Sequence, residues 1–133
     1  QNNKYIVLDV AGRDSAEFRS ALLTADVLII PTQPSQTDIE VLPFVLRLVN
    51  TAKQVNKNLK TFVVLNKAPT NNKSTEIDAA LELLQQVKSV KTLNTILRDR
   101  KQFRDAMIEG KSVLEMGSSK AKDELNEFLV EIL

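Results

Sequence analysis

Short apolar runs alternate along this chain with longer segments whose apolar residues recur at helical spacing. The runs are Tyr5–Asp9, Asp26–Pro31, Leu59–Asn66 and Val90–Leu97, of which the last is the weakest because Asn94 interrupts it. Continuous apolar runs of this length are typical of strands that are covered on both faces. Strands separated by helices favour βαβ units. The sequence therefore predicts an α/β fold, with a mostly parallel sheet and helices on both faces.

The predicted helices follow residues that favour helix N-caps. Ser15 precedes the first helix, and either Ser35 or Thr37 precedes a long second helix that ends near residue 55. Pro43 is awkward inside that helix, since it lacks an N–H. It either kinks one continuous helix or begins the main helix after a separate short turn, and we favour the second interpretation. Three further helices are predicted over 74–87, 100–109 and 118–133.

Composition excludes several classes of site. The 133 residues include no cysteine and no histidine, which excludes disulfides, thiolate chemistry, imidazole bases and the usual zinc sites. No apolar run approaches the ~20 residues of a membrane span, and the net charge is only +1. We expect a cytoplasmic protein with no membrane partner. Because the chain begins at Gln1 directly before a predicted strand, we also expect a piece of a longer polypeptide.

The first candidate site lies at the end of the first predicted strand, where Asp9 is followed by Gly12. A carboxylate in that position can hold a Mg²⁺-bound water, and a glycine lets its backbone N–H approach a terminal phosphate. Ligands of open parallel sheets bind beyond the carboxyl ends of the strands. An aspartate that only caps a loop remains the alternative.

The second candidate site is the pair Asn66–Lys67, just past the end of the third predicted strand. An asparagine can bond both a ring nitrogen and the exocyclic amine of adenine. A guanine site would need a carboxylate where this chain has Pro69, so adenine is favoured if a base binds here. An Asn that caps a strand–loop junction is the competing interpretation.

The third candidate is a basic segment. Residues 91–111 carry six basic and three acidic side chains. Such a cluster can neutralise phosphates without reading base sequence. A solvated helix face that pairs Arg with Asp at close spacing is the more common explanation. The cations at issue are Arg98, Arg100, Lys101 and Arg104.

Taken in order, several segments resemble the ParA family of plasmid and chromosome partition ATPases, within the ParA/MinD group that carries a deviant Walker motif. The matching stretches are Tyr5–Asp14, Ser20–Asp26, Ile29–Ser35, Val64–Lys67, Ile96–Arg100, and Phe103–Ala106 leading to Gly110–Val113.

The resemblance implies an ATPase with a P-loop NTPase fold that uses ATP and Mg²⁺ and dimerises around ATP. It also implies non-specific DNA binding and a centromere-binding, ParB-like adaptor. Asp9 matches the Walker B aspartate and metal site, and Gly12 falls in the switch region that senses the terminal phosphate. Asn66, with Lys67, matches the adenine contact. The four cations lie in the region that family members use for DNA, although this correspondence is looser.

One departure from the family is large. No Gly-x-x-x-x-Gly-Lys-Ser/Thr loop occurs in the 133 residues. That loop supplies most phosphate binding and charge neutralisation. We therefore expect residues 1–133 to be the C-terminal portion of a single ATPase domain, a truncated P-loop NTPase fold that is inactive alone.

Two other functions are considered. A MinD-like cell-division ATPase would carry a C-terminal amphipathic membrane helix, but the polar face of 118–133 is mixed and mostly acidic, whereas anionic lipid favours a basic face. A stand-alone flavodoxin-like or receiver-like module would need no upstream sequence, and only Asp9 and Lys67 loosely fit a receiver.

Overall fold

The structure is a computed structural model that describes residues 4–71, 73–88 and 90–133. Within these residues, three parallel strands form one sheet in the order β1–β2–β3. The strands are β1 (Val27–Thr32), β2 (Lys60–Ala68) and β3 (Lys91–Arg98). The α-helices are α1 (Ala16–Thr24), α2 (Gln36–Lys53), α3 (Thr75–Gln85), α4 (Lys101–Ile108) and α5 (Lys120–Ile132), and a short 3₁₀ helix spans Val113–Glu115. The predicted α/β class with a parallel sheet flanked by helices is confirmed.

The core forms where α2 and α3 pack on the central strand. Val63 and Leu65 of β2 lie on one face of the sheet and join Leu42 of α2 and Leu84 of α3 in a buried cluster. Val64, on the opposite face, is also fully buried. Because both faces of β2 are covered, its side chains form a continuous apolar run, as the sequence pattern indicates.

A second cluster joins the first two helices. Phe18 and Leu22 of α1 pack against Val45 and Val49 of α2, and Leu28 of β1 lies against them. Serine caps fix where these helices begin. The hydroxyl of Ser15 accepts a hydrogen bond from the Phe18 N–H, and Ser35, rather than Thr37, caps α2.

The first predicted strand is absent from the described sheet. Tyr5–Asp9 has no strand pairing, and the side chains of Ile6 and Val7 are 80% and 90% exposed. The sheet instead begins at β1, which occupies one of its edges. An apolar run becomes a strand only when a neighbour supplies backbone partners, and none is supplied to this segment within the described residues. Val10, which directly follows this segment, packs against the second cluster.

The preferred interpretation of Pro43 was wrong. α2 is one continuous helix from Gln36 to Lys53, and Pro43 lies inside it. Proline removes the hydrogen bond to the carbonyl of Ile39, four residues earlier. Pro43 itself is exposed, whereas apolar residues on the other face of α2, such as Leu46 and Val49, are buried. Packing of this apolar face therefore stabilises α2 as one helix in spite of the hydrogen bond that the proline removes.

β3 contains an irregularity at the residue that weakened its prediction. Between the pairs Val63–Thr92 and Leu65–Ile96, one residue of β2 opposes three residues of β3. This bulge, centred on Asn94, removes backbone groups from the ladder. The carboxylate of Glu131 in α5 replaces the lost partners, because it accepts hydrogen bonds from the N–H groups of Asn94 and Thr95. The strand therefore continues through Asn94.

None of the described helices is both long enough and apolar enough to cross a membrane.

Candidate functional site

The carboxyl ends of the three parallel strands lie along one edge of the sheet, which we call the carboxyl edge. It consists of Thr32 at the end of β1, Asn66–Ala68 at the end of β2 and Arg98–Arg100 at and after the end of β3. Ala68 pairs with Arg98, and the N–H of Asp99 donates to the Ala68 carbonyl at 2.9 Å. In open parallel sheets, this is the edge at which ligands bind.

The end of β2 carries a second bulge. Between the pairs Leu65–Ile96 and Ala68–Arg98, Asn66 and Lys67 together oppose the single residue Leu97. Lys67 has a φ of 51°, in the left-handed region that non-glycine residues rarely adopt. Bulges and strained residues are concentrated near binding sites. The structure thus places Asn66 half-buried and Lys67 exposed within the last residues of β2, whereas the sequence predicted them just past the strand.

The bulge itself was missed in the sequence. Glycine would have indicated a left-handed residue, but Lys67 gives no such signal.

Asp9 and Gly12 are placed differently from their prediction. Asp9 lies in the exposed stretch before α1 and not at the end of a strand. A Cβ added to Gly12 would meet no atom within 4 Å, and its φ is not positive, so nothing in this conformation requires glycine. Next to it, Asp14 forms an ion pair with Arg19, whose hydrogen bond lowers the pKa of the Asp14 carboxyl. The role predicted for Asp9 therefore stays a prediction.

All four cations of the basic segment are ion-paired. Arg98 and Arg100 contact Glu124 of α5. The other two cations form pairs within or beside α4: Lys101 with Asp105, four residues on, and Arg104 with Asp99. The interpretation as a solvated helix face with close ion pairs therefore describes Lys101 and Arg104 but not Arg98 and Arg100, and a role in DNA binding stays a prediction.

Burial divides these four cations into two groups. The side chains of Lys101 and Arg104 are 78% and 59% exposed, whereas those of Arg98 and Arg100 are 22% and 17% exposed. Arg100 donates to Glu124 through Nε at 3.0 Å and Nη2 at 2.7 Å. Charge-assisted hydrogen bonds of this kind are among the strongest in proteins. Two arginines are thus internal groups, and two cations face solvent.

Two carboxylates on the acidic polar face of the last helix connect α5 to β3. Glu124 and Glu131, seven residues apart on α5, both accept hydrogen bonds from β3. Glu124 is one of the two buried residues of that helix, with Ala121, while Leu125 and Phe128 are only half-buried. A spacing of seven residues places two side chains on one helix face. That spacing, beside the apolar positions, is the signal that could have identified them.

The described residues do not fit a complete ATP–Mg²⁺ complex. Across 4–71, 73–88 and 90–133, no three acidic side chains come together in a group that could hold a metal ion. The space beside Gly12 is open, with no atom within 4 Å of a Cβ placed there. The donor set at the carboxyl edge suits a base, through Asn66, more than a triphosphate. We therefore assign no phosphate or metal step to these residues.

Comparison with known proteins gives one relevant similarity. The chain is 28% identical over 135 residues to "Maintenance of carboxysome distribution protein A" from Halothiobacillus neapolitanus (strain ATCC 23641 / c2). The alignment covers 99% of this chain and 61% of that protein, so the chain spans about three fifths of the relative's length. No family model matches the chain. The similarity supports a ParA/MinD-like family, and the parallel sheet is consistent with part of a P-loop NTPase-like fold.

Proposed function

We propose that this chain forms the C-terminal portion of a ParA-type positioning ATPase, whose intact form binds ATP and Mg²⁺. The observation that carries the proposal is the similarity to the carboxysome distribution protein, which extends over 99% of the chain. The parallel sheet and the ordered sequence segments support the same assignment. Most phosphate-binding groups would come from sequence outside these 133 residues, because the family's glycine-rich loop does not occur within them.

Asn66 is the residue that we propose for the adenine contact. It lies half-buried at the carboxyl edge, in the bulge that it forms with Lys67. Its amide offers both a donor and an acceptor, the pattern that adenine needs. Pro69 occupies the position at which a guanine site would carry an acid. The intact protein should therefore prefer ATP to GTP.

The proposed partners follow from the same family. The protein would form an ATP-dependent homodimer, bind DNA without sequence preference, and respond to a ParB-like adaptor that marks its cargo. Of the four cations of the basic segment, Lys101 and Arg104 are exposed enough to reach a phosphate backbone. Their neighbours Asp99 and Asp105 would have to exchange partners, because each currently holds one cation. A plasmid or a chromosome is one cargo that such an ATPase would partition.

A nucleotide-binding measurement tests this proposal. The affinities of ATP and GTP are compared for the native gene product and for its Asn66→Ala variant, with Asn50→Ala on the exposed face of α2 as the matched control. Loss of a buried hydrogen-bonding partner should weaken ATP binding by about tenfold. Equal affinity for ATP and GTP, or unchanged ATP affinity in Asn66→Ala, would remove Asn66 from the site. No binding of either nucleotide would contradict the ATPase assignment itself.

A further inference from the structure

The segment Arg98–Arg100, which connects β3 to α4, is held from two sides. On one side the Asp99 N–H donates to the carbonyl of Ala68 in β2. On the other side, the N–H of Arg98 donates to Oε2 of Glu124 at 3.2 Å. No side chain caps the N-terminus of α4, where Arg100 is the N-cap residue. The position of this segment therefore depends on contacts from other elements.

Glu124 is the contact from α5, and both of its oxygens are engaged. Oε1 accepts two hydrogen bonds from the guanidinium of Arg100, while Oε2 accepts the backbone bond from Arg98. The side chains of Glu124 and Arg100 are only 12% and 17% exposed. A planar guanidinium that meets a carboxylate through two N–H groups fixes orientation as well as distance.

We infer that Glu124 is a positioning residue for the carboxyl edge, acting through Arg98 and Arg100. It fixes the backbone of 98–100 beside the end of β2, and thereby the exposed Asp99–Arg104 pair. The assignment of the carboxyl edge to a nucleotide, and of the exposed cations to DNA, rests on the proposed function. The positioning role of Glu124 does not. Arg98 and Arg100 are then internal supports, and the polyanion partner meets Lys101 and Arg104.

Hydrogen exchange at single amides tests this role without any ligand. In Glu124→Gln the carboxylate charge is lost at nearly constant volume. Exchange at the amides of Arg98 and Asp99 should rise by about tenfold or more relative to Val49 in α2. The matched control is Glu127→Gln, an exposed glutamate one turn later on α5, which should leave those amides within about twofold of wild type. Unchanged exchange at Arg98 and Asp99 in Glu124→Gln would overturn the inference.

A uniform rise at every amide would also overturn it, because that result describes a general loss of stability instead of a local support. Arg100→Lys supplies a second variant, since lysine keeps the positive charge but lacks the planar fork. It should accelerate the same two amides, and it carries the test alone if Glu124→Gln does not fold. In the double variant the two effects should be strongly non-additive, because both substitutions break one contact. Additive effects would show that Glu124 does not act through Arg100.

The DNA part of the account fails separately. If the native gene product does not bind DNA, the proposed partner is wrong, while the exchange pattern at Arg98 and Asp99 still decides the role of Glu124.

Discussion

One carboxylate oxygen of Glu131 accepts both the N–H and the hydroxyl of Thr95, at 3.0 Å and 2.9 Å. The other oxygen accepts the N–H and the side-chain amide of Asn94. β3 lies at an edge of the described sheet, and exposed strand edges invite pairing with other chains. Glu131 therefore closes the part of this edge that the bulge around Asn94 leaves open.

The stability of the chain should fall in acid as Glu131 protonates. Burial alone would raise the pKa of this carboxyl, but the hydrogen bonds from Asn94 and Thr95, with the charge of Lys91, outweigh it and hold the pKa below its usual range. A depressed folded pKa means that the stabilisation is complete above the unfolded pKa and is lost as the pH falls through the folded one. Denaturant unfolding measured between pH 7 and pH 3 checks this.

In Glu131→Gln we expect a loss of about 1–2 kcal/mol at pH 7 and a weaker pH dependence below about pH 5. Glu127→Gln is the control and should reproduce the wild-type curve. An unchanged acid slope in Glu131→Gln would show that other carboxyl groups account for the loss of stability.

Pro43→Ala should stabilise the chain. Alanine restores an N–H that can donate to the Ile39 carbonyl in the middle of α2, and it has the higher helix propensity. Greater freedom of the unfolded chain offsets part of the gain, so we expect about 1–2 kcal/mol from chemical denaturation. Asn50→Ala, also exposed on α2, controls for propensity and should change stability by a few tenths of a kcal/mol. A less stable Pro43→Ala variant would mean that Pro43 makes a stabilising contact.

Lys67→Gly should also stabilise the chain, by about 1 kcal/mol, because glycine adopts a φ of 51° without the cost that a Cβ brings. Lys60→Gly in the same strand is the matched control, and it should destabilise because its φ is not in the left-handed region. Thermal unfolding of both variants measures the difference. If Lys67→Gly instead loses stability as Lys60→Gly does, the bulge at the end of β2 does not hold residue 67 in this conformation.

Removal of the exposed cations should weaken binding to DNA. In Lys101→Gln with Arg104→Gln, affinity for a non-specific duplex should fall, and the slope of log affinity against log salt should drop by about 2. Lys57→Gln with Lys73→Gln is the control of equal charge and should leave the slope closer to wild type. Folding stability should change by less than about 1 kcal/mol, since both side chains are exposed. An unaltered salt slope would place DNA elsewhere.

Local patterns in the sequence predicted the elements that pack on neighbours within the chain. Ser15 and Ser35, both among the expected caps, begin α1 and α2, and the apolar face of α2 is buried. The strand prediction at Tyr5–Asp9 failed because strand formation depends on a pairing partner, which an apolar run does not reveal. The preferred interpretation of Pro43 was wrong because packing of the apolar face stabilises α2 as one helix. Local sequence does not show how strong that packing is.

The candidate site was predicted only in part, because local patterns locate residues along a strand but do not show contacts between distant elements. Asn66 and Lys67 belong to a strand that the core determines, so their place near its carboxyl end could be predicted from the sequence. The pairing of Arg98 and Arg100 with Glu124 joins residues 24 and 26 positions apart, and depends on how α5 docks on β3. A charge count over 91–111 contains no information about that contact. The half-buried Arg98 and Arg100 were therefore grouped with the exposed cations.

ATP turnover by the native gene product, at its full native length, tests the central claim most directly. A ParA-type positioning ATPase should hydrolyse ATP slowly and faster when non-specific DNA is added. Asn66→Ala should lower that turnover about tenfold at limiting ATP, because it removes the proposed adenine contact, and the control Asn50→Ala on the exposed face of α2 should preserve it. Turnover that is absent with and without DNA would contradict the account.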